Sequence, residues 1–310
     1  MPIARPIQKI QAIINPASGQ PEPVLAGLNR AWGGGAVAWN VSITQDAGDG
    51  YRLARQAVED GADAIAVYGG DGTVSEVAHA LCGGRTPLAI LPGGTGNAAA
   101  QELDIPLDLE AAARLAVDPN TRWGAVDLLK VRDRVSLLRI GIGFDAQTMN
   151  SATREWKDKL GWFAYPFAAI RELGNAEPGQ VELVMDGEPY ETPAFAVVLA
   201  NVGRMGRAGA RFPGDVNPSD GLMDVYVVRS MDLASLVTVA KRLLAGKETG
   251  DAGPTDPLLH FQCKDIEVRT LGAPMPLHID GDPCGETPIC VETLAGALPV
   301  LLPAESSPRG

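Results

Sequence analysis

Three glycine-rich turns carry the residues best suited to phosphate chemistry. The sharpest is GGDGT at Gly69–Thr73, which follows the apolar run AIAVY and leads into a predicted helix that opens at Thr73. Glycine tolerates positive φ and lets a ligand approach the backbone, and the N-terminus of a helix favours phosphate. The turn is therefore predicted to bind phosphate. Asp71 is expected to hold Mg²⁺ through water or to orient a nucleophile, the plain alternative being a turn or N-cap aspartate.

The two other turns follow predicted strands of the same sheet. Asn15–Gly19 ends the first strand and Pro92–Asn97 ends the fourth. Because turns after parallel strands lie at one edge of the sheet, the three turns are predicted to form one nucleotide cleft. The chain contains no G-x-x-x-x-G-K-[ST] motif, which excludes a P-loop protein.

Alternating apolar strands and amphipathic helices predict a three-layer α/β nucleotide-binding domain over residues 1–124. From residue 125 to residue 304 the pattern becomes strand after strand, which predicts a β-rich second domain, and residues 305–310 read as a flexible tail. Asp186-Gly187 is a predicted hairpin turn. Helices are expected at Glu155–Leu173 and Leu233–Ala245.

Composition excludes several classes of protein. The formal net charge of −12 argues against nucleic-acid binding and against strong electrostatic adhesion to an anionic membrane. No apolar stretch is long enough to cross a bilayer and the first residues do not resemble a signal peptide, so a cytoplasmic location is expected. The four cysteines have neither zinc-site spacing nor disulfide density, and are expected to be reduced thiols.

The motifs together resemble the diacylglycerol kinase catalytic-domain family, which includes bacterial lipid kinases and sphingosine and ceramide kinases. The similarity extends over nearly the whole chain through NPASG, GGDGTVSEV, LPGGTGN, VDLLKV, GIGFDA, KDKLGWFAYPF, PSDGLMDV and HIDGD. The resemblance implies a nucleotide-binding domain like those of phosphofructokinase and NAD kinase. It further implies a C-terminal β-sandwich, a lipid-accepting active site between the two domains, and transfer of the ATP γ-phosphoryl group to a lipid hydroxyl.

The resemblance also implies site residues, position by position. The implied ATP-binding set is Asn15, Pro16, Ala17, Ser18, Gly19, Thr44, Gly69, Gly70, Asp71, Gly72, Thr73 and Thr95. The implied structural Mg²⁺ ligands are Asn217, Asp220 and the carbonyl of Leu222, all oxygen donors of the type that Mg²⁺ prefers.

The implied catalytic base is Asp282 in the sequence Asp280-Gly281-Asp282, where the family has D-G-E. A carboxylate is needed because the acceptor hydroxyl must lose its proton as it attacks phosphorus. Aspartate is one methylene shorter than glutamate, so Asp280 is the alternative base. A third reading is a hairpin turn with exposed aspartates. Ala98 also stands where the family often has aspartate, which leaves the identity of the lipid open.

The expected acceptor is diacylglycerol or a related glycerolipid at a membrane surface. The alternatives are a sphingoid-base or NAD-type kinase of the same superfamily and a nucleotide-binding regulator without activity. The aromatic-rich segment from Trp156 to Phe167 is a candidate for peripheral membrane contact, or else a buried helix that joins the domains. A homodimer is compatible with the sequence.

Overall fold

The computed structural model describes residues 6–18, 23–35, 37–143, 177–205, 211–245, 253 and 255–304. The described residues form two compact units. The first contains the chain up to Asp127 and again from Ala295 onward, and the second contains Leu128–Leu294. The boundary predicted after residue 124 stays a prediction, and the last ten described residues, 295–304, belong to the first unit.

The first unit is an α/β fold. Its elements are β1 (Lys9–Ile14), α1 (Val24–Trp32), β2 (Ala38–Ile43), α2 (Asp49–Glu59), β3 (Ala64–Gly69), α3 (Asp71–Leu81), β4 (Leu88–Pro92), α4 (Ala98–Glu102) and α5 (Leu109–Arg114). Strands β2, β1, β3 and β4 lie in that order and run parallel. Helix α1 packs with α5, and α2 packs with α3. Since βαβ crossovers are right-handed, the change of direction after β2 places α1 and α2 on opposite faces, which gives the three predicted layers.

The central strands of this sheet are buried on both faces. Every residue of β3 and of β4 is buried, as expected for a parallel sheet covered by helices. The sequence analysis placed both strands but missed the short helix α4, whose Ala-rich turn is too brief to show a helical period.

The second unit is an antiparallel β-sandwich. It contains β6 (Arg134–Ser136), β7 (Arg139–Ile142), β8 (Gly179–Met185), β9 (Glu188–Ala194), β10 (Ala196–Ala200), β11 (Met223–Val228), α6 (Leu233–Ala245), β12 (Leu258–Cys263), β13 (Asp265–Thr270), β14 (Pro276–Ile279) and β15 (Asp282–Glu286). Two longer strands, β5 (Arg122–Val131) and β16 (Ile289–Leu302), contribute residues to both units. One layer has the order β12-β11-β10-β7-β14-β15, and the other contains the paired strands β16, β13, β8 and β9.

Successive side chains along each strand point to opposite faces, so the six-stranded sheet that contains β10 has one hydrophobic core on each face. Val197 and Leu199 of β10 point into the sandwich, whereas Ala196, Val198 and Ala200 face the opposite way. The second core is completed by residues of α6 and of the loop before β11. Strand β10 is therefore buried throughout, which explains its unbroken apolar sequence.

Several predicted elements are confirmed and others need correction. Helix α6 has the predicted bounds, and Asp186-Gly187 forms the predicted hairpin turn with φ of 48° and 89°. Residues 135–143, whose apolar pattern is typical of one strand, instead contribute to two strands, and the backbone N–H groups of Leu137 and Leu138 between them donate to the side chain of Asp280. In the described part of the chain no helix has the length and apolar composition needed to cross a bilayer.

Candidate functional site

The three glycine-rich turns meet at one edge of the parallel sheet. The backbone N–H of Asn15, after β1, donates to the carbonyl of Tyr68 at 2.8 Å, and the N–H of Gly93, after β4, donates to the carbonyl of Gly69 at 3.0 Å. The chain passes to one side of β1 for β2 and to the other side for β3. Ligands of open α/β sheets bind at the carboxyl end of such a switch point, where these turns lie.

Helix α3 begins two residues earlier than the sequence indicated. Gly70 is its N-cap and Asp71 its first residue, so Asp71 and Gly72 belong to the first turn of the helix and not to the preceding loop. Gly70 has no side chain with which to cap the first N–H groups. A Cβ added to Gly72 would meet no other atom within 4 Å. The N-terminus of α3 therefore has the open, uncapped backbone that a phosphate group requires.

Close backbone packing joins the second and third turns. A Cβ on Gly94 would lie 2.5 Å from the Cα of Gly70, a distance that side chains do not tolerate. A Cβ on Gly69 would lie 2.7 Å from the Cβ of Thr73. Gly94 is needed because the backbones of the second and third turns are in contact, and Gly69 is needed because it packs against the first turn of α3.

Asn15 connects the first turn to the second. Its amide nitrogen donates to the hydroxyl of Thr73 at 2.8 Å, and its side-chain oxygen accepts the N–H of Ala17 at 2.9 Å. The hydroxyl of Ser18 donates to the carbonyl of Asn15 at 2.8 Å. Four of the predicted nucleotide-binding residues thus form one bonded group. Gly19 lies outside the described residues.

Thr44, Pro16, Thr95 and Asp71, which are also predicted nucleotide-binding residues, lie outside this bonded group. Thr44 follows β2, and its N–H donates to the carbonyl of Ile14 at 3.0 Å, which fixes it beside the end of β1. Pro16 and Thr95 are exposed at the tips of the first and third turns. The carboxylate of Asp71 accepts the N–H of Ala99 at 3.3 Å, in helix α4 directly after the third turn.

Sequence reasoning missed Glu76, which lies in α3 three residues after Thr73. Its two carboxylate oxygens accept the backbone N–H groups of Gly48 and Gly50, each at 2.8 Å. These are groups at the N-terminus of α2. The glutamate of the GGDGTVSEV motif was visible in the sequence, but its partners lie 28 and 26 residues away and carry no pattern that points to it.

The predicted catalytic aspartates lie on a hairpin of the second unit. Asp280 and Gly281 join β14 to β15 with φ of 49° and 100°, the left-handed pair typical of a tight hairpin turn. The side chain of Asp280 also accepts four hydrogen bonds. Its carboxylate accepts the hydroxyl of Ser136 at 2.6 Å and the backbone N–H groups of Leu137, Leu138 and Arg139 at 2.9 to 3.0 Å.

Asp282 has a different environment. Its side chain is 75% exposed, and the guanidinium of Arg134 lies 3.7 Å from its carboxylate. Four donors therefore occupy the carboxylate oxygens of Asp280, whereas the carboxylate of Asp282 is open to solvent. The two aspartates are thus distinguished by geometry, Asp280 as a support of the hairpin and Asp282 as the accessible carboxylate.

The predicted metal-binding loop precedes β11. The side-chain oxygen of Asn217 accepts the N–H of Ser219 at 3.2 Å, and that of Asp220 accepts the N–H of Leu222 at 2.9 Å. The side chains supply hard oxygen donors, which suits Mg²⁺, but only one of them is a carboxylate. Within the described ranges, no group of three or more His, Cys, Asp or Glu side chains is placed to hold a metal ion. The Mg²⁺ site stays a prediction.

A stack of three rings contacts the segment that leads into this loop. Tyr226 stacks between Phe212 and His260, with ring centroids 4.5 and 4.6 Å apart, and its hydroxyl donates to the carbonyl of Pro213 at 2.6 Å. His260 in turn contacts the buried carboxylate of Asp224 at 2.7 Å. The aromatic segment from Trp156 to Phe167, a candidate for membrane contact, lies outside the described residues.

Comparisons with known proteins agree with this arrangement. Residues 9–131 match the model of the diacylglycerol kinase catalytic domain, and residues 139–302 match that of the YegS C-terminal NAD kinase beta sandwich-like domain. A diacylglycerol kinase of Mycobacterium tuberculosis is 30% identical over an alignment that covers 96% of each chain. The chain belongs to the diacylglycerol kinase family. The resemblance drawn from the motifs is thereby confirmed.

Other relatives extend over different shares of their length. An uncharacterized protein of Synechocystis is 32% identical over 271 residues, which span 86% of this chain and 62% of that protein. The crystal structure of a candidate diacylglycerol kinase from Bacillus anthracis strain Sterne has a TM-score of 0.78 at 28% identity and covers 97% of both chains. The predicted fold class, an α/β domain followed by a β-sandwich, is confirmed.

Proposed function

We propose that this protein is an ATP- and Mg²⁺-dependent lipid kinase that phosphorylates a lipid hydroxyl, with diacylglycerol or a related glycerolipid as the first candidate acceptor. The observation that carries the proposal is the presence in one chain of both family domains, with the glycine-rich turns of the first brought together at one sheet edge. The Mycobacterium tuberculosis relative, which aligns with this chain over 96% of its own length, is named a diacylglycerol kinase.

The first unit would bind ATP through its three turns. The N–H groups at the start of α3 would receive phosphate oxygens, and the open space over Gly72 lets them approach. Asn15 and Thr73 would hold the first turn against this helix. Thr44 and Thr95 would add hydroxyl contacts from the neighbouring turns.

The second unit would supply the base. We assign proton acceptance to Asp282, whose carboxylate is accessible, and support of the hairpin to Asp280. As the lipid hydroxyl attacks the γ-phosphorus in line, its proton would pass to a carboxylate oxygen of Asp282, and the bond from phosphorus to the ADP oxygen would break.

Asp71 lies in the first turn of α3, where it would hold Mg²⁺ through water beside the phosphates. Asn217, Asp220 and the carbonyl of Leu222 would hold a second, structural Mg²⁺. When bound, Mg²⁺ neutralises the negative charge that develops on the phosphate oxygens. Contact with a membrane surface would be peripheral and would bring the lipid within reach.

The test is to incubate the protein with γ-labelled ATP, Mg²⁺ and a panel of detergent-dispersed diacylglycerol, phosphatidylglycerol, ceramide and sphingosine, with NAD in a separate reaction. Label in phosphatidic acid supports the proposal as stated. Label in sphingosine phosphate or in NADP would assign another acceptor of the same superfamily. ATP hydrolysis or binding without any labelled acceptor would favour a nucleotide-binding regulator instead.

A further inference from the structure

We infer that Glu76 is a positioning residue for nucleotide binding, which fixes the loop between β2 and α2 against the phosphate-binding helix. The inference rests on the proposed function, since it assigns a role within the same nucleotide site. Glu76 belongs to α3, the helix whose N-terminus forms the phosphate turn, whereas its partners are Gly48, the N-cap of α2, and Gly50 in the first turn of α2. One side chain thereby connects two elements of the candidate site.

The contact is close and uses both carboxylate oxygens. Oε1 accepts the N–H of Gly48 and Oε2 accepts the N–H of Gly50, both at 2.8 Å. A Cβ on Gly50 would lie 2.6 Å from Oε2 of Glu76 and 3.5 Å from the carbonyl oxygen of Thr73. Glycine at position 50 is therefore what allows the start of α2 to reach the first turns of α3.

The loop held in this way contains the predicted nucleotide residue Thr44. The N–H groups of Gln45 and Asp46 donate to the carboxylate of Asp49 at 2.8 and 3.1 Å. The bond from Gln45, the bond from the Arg52 guanidinium at 2.8 Å and the bond from Asp46 together lower the pKa of Asp49 to about 2. The segment from Thr44 to Gly50 is thus braced internally by Asp49 and joined to α3 by Glu76.

The same bonds decide where phosphate can bind. A helix N-terminus attracts anions because its N–H groups lack partners within the helix. At α2 two of these groups are already bonded to a carboxylate, whereas the N-cap of α3 offers no side-chain acceptor. Glu76 therefore occupies the anion position of α2 from within the protein and leaves α3 as the helix that receives the phosphates.

Removal of this carboxylate should weaken nucleotide binding more than it weakens the fold. In Glu76→Ala both bonds are lost, the Thr44 loop is freed from α3, and the N-terminus of α2 becomes a competing anion site. We expect roughly 10- to 100-fold weaker binding of the nucleotide, which corresponds to about 1.4 to 2.8 kcal/mol at 1.4 kcal/mol per factor of ten. Glu76→Gln keeps one acceptor oxygen and should fall between the wild type and Glu76→Ala.

The experiment is calorimetric titration of the full chain with the non-hydrolysable analogue AMP-PNP in the presence of Mg²⁺. Glu110→Gln is the matched control, because Glu110 lies in the same unit and binds Arg30 and Arg114 at 2.7 and 2.6 Å, away from the three turns. Gly50→Ala disturbs the contact from the opposite side. Its control is Gly34→Ala, where an added Cβ meets nothing within 4 Å.

Weaker AMP-PNP binding by Glu76→Gln and Gly50→Ala, with both controls within about two-fold of the wild type, would support the inference. In kinetic assays the KM for ATP should rise while the KM for lipid stays constant. Wild-type affinity in both Glu76→Gln and Gly50→Ala would overturn it, even if Glu76→Ala fails to fold. Failure of the wild type itself to bind AMP-PNP would instead overturn the proposed function.

Discussion

Replacing Asp280 and Asp282 in turn by asparagine separates support of the β14–β15 hairpin from proton transfer. Asp280→Asn keeps one oxygen, which can still accept three of the four present donors, but as a neutral acceptor. The new NH2 group would face the N–H of Leu137, which now donates to the carboxylate at 3.0 Å. Asp282→Asn changes a side chain that is 75% exposed and whose nearest ionic partner, Arg134, is 3.7 Å away.

These geometries predict opposite phenotypes. Hydrogen bonds to a charged group contribute about 1.5–3 kcal/mol each, against about 0.5–1.5 for neutral ones, so Asp280→Asn should lose roughly 3 kcal/mol or more of stability. At about 2–4 °C per kcal/mol for a domain of this size, the Tm should fall by roughly 6–12 °C. Asp282→Asn should leave the Tm within about 2 °C of the wild type. It should lower kcat for lipid phosphorylation by roughly 10² to 10⁴ if Asp282 is the base.

The assay combines thermal unfolding with initial rates at a temperature at which both variants are folded. AMP-PNP binding serves as the control, because both residues belong to the second unit and affinity for the nucleotide should persist in both variants. The reasoning is refuted if Asp280→Asn unfolds at the wild-type temperature. It is equally refuted if Asp280→Asn abolishes transfer at a temperature at which it is folded while Asp282→Asn retains it, since the base would then be Asp280.

Three further predictions concern packing and thiol chemistry. Gly94→Ala should abolish nucleotide binding measured by calorimetry, because its Cβ would lie 2.5 Å from the Cα of Gly70; unchanged affinity would show that the two turns can separate. Arg242→Ala should lower stability by roughly 3–5 kcal/mol in denaturant unfolding, because it removes the cation that binds the buried Asp256 carboxylate at 2.8 and 3.0 Å. Burial raises the pKa of Cys263 to about 12, so this thiol should resist labelling at pH 8 until the protein unfolds, and rapid native labelling would contradict its burial.

Local sequence patterns were sufficient for much of the architecture. Strands β3 and β4 were visible as short apolar runs between turn residues, and α6 was visible with both of its ends. The Asp186-Gly187 turn was predictable because both residue types tolerate positive φ. The sequence of strand β9, EPYETPA, contains two prolines and little apolar alternation, and this strand forms because β8 supplies a complete antiparallel partner.

What the sequence determined by itself is the family, the fold class and the identity of the three glycine-rich turns, because these depend on residue types at short spacing. Only the tertiary structure decided what the carboxylates do. Asp280 binds backbone groups more than 140 residues away, and Glu76 binds the start of a different helix. An aspartate or glutamate has the same local pattern whether it supports a turn, caps a helix or accepts a proton. Its role follows from the donors that the folded chain brings within about 3 Å of its oxygens.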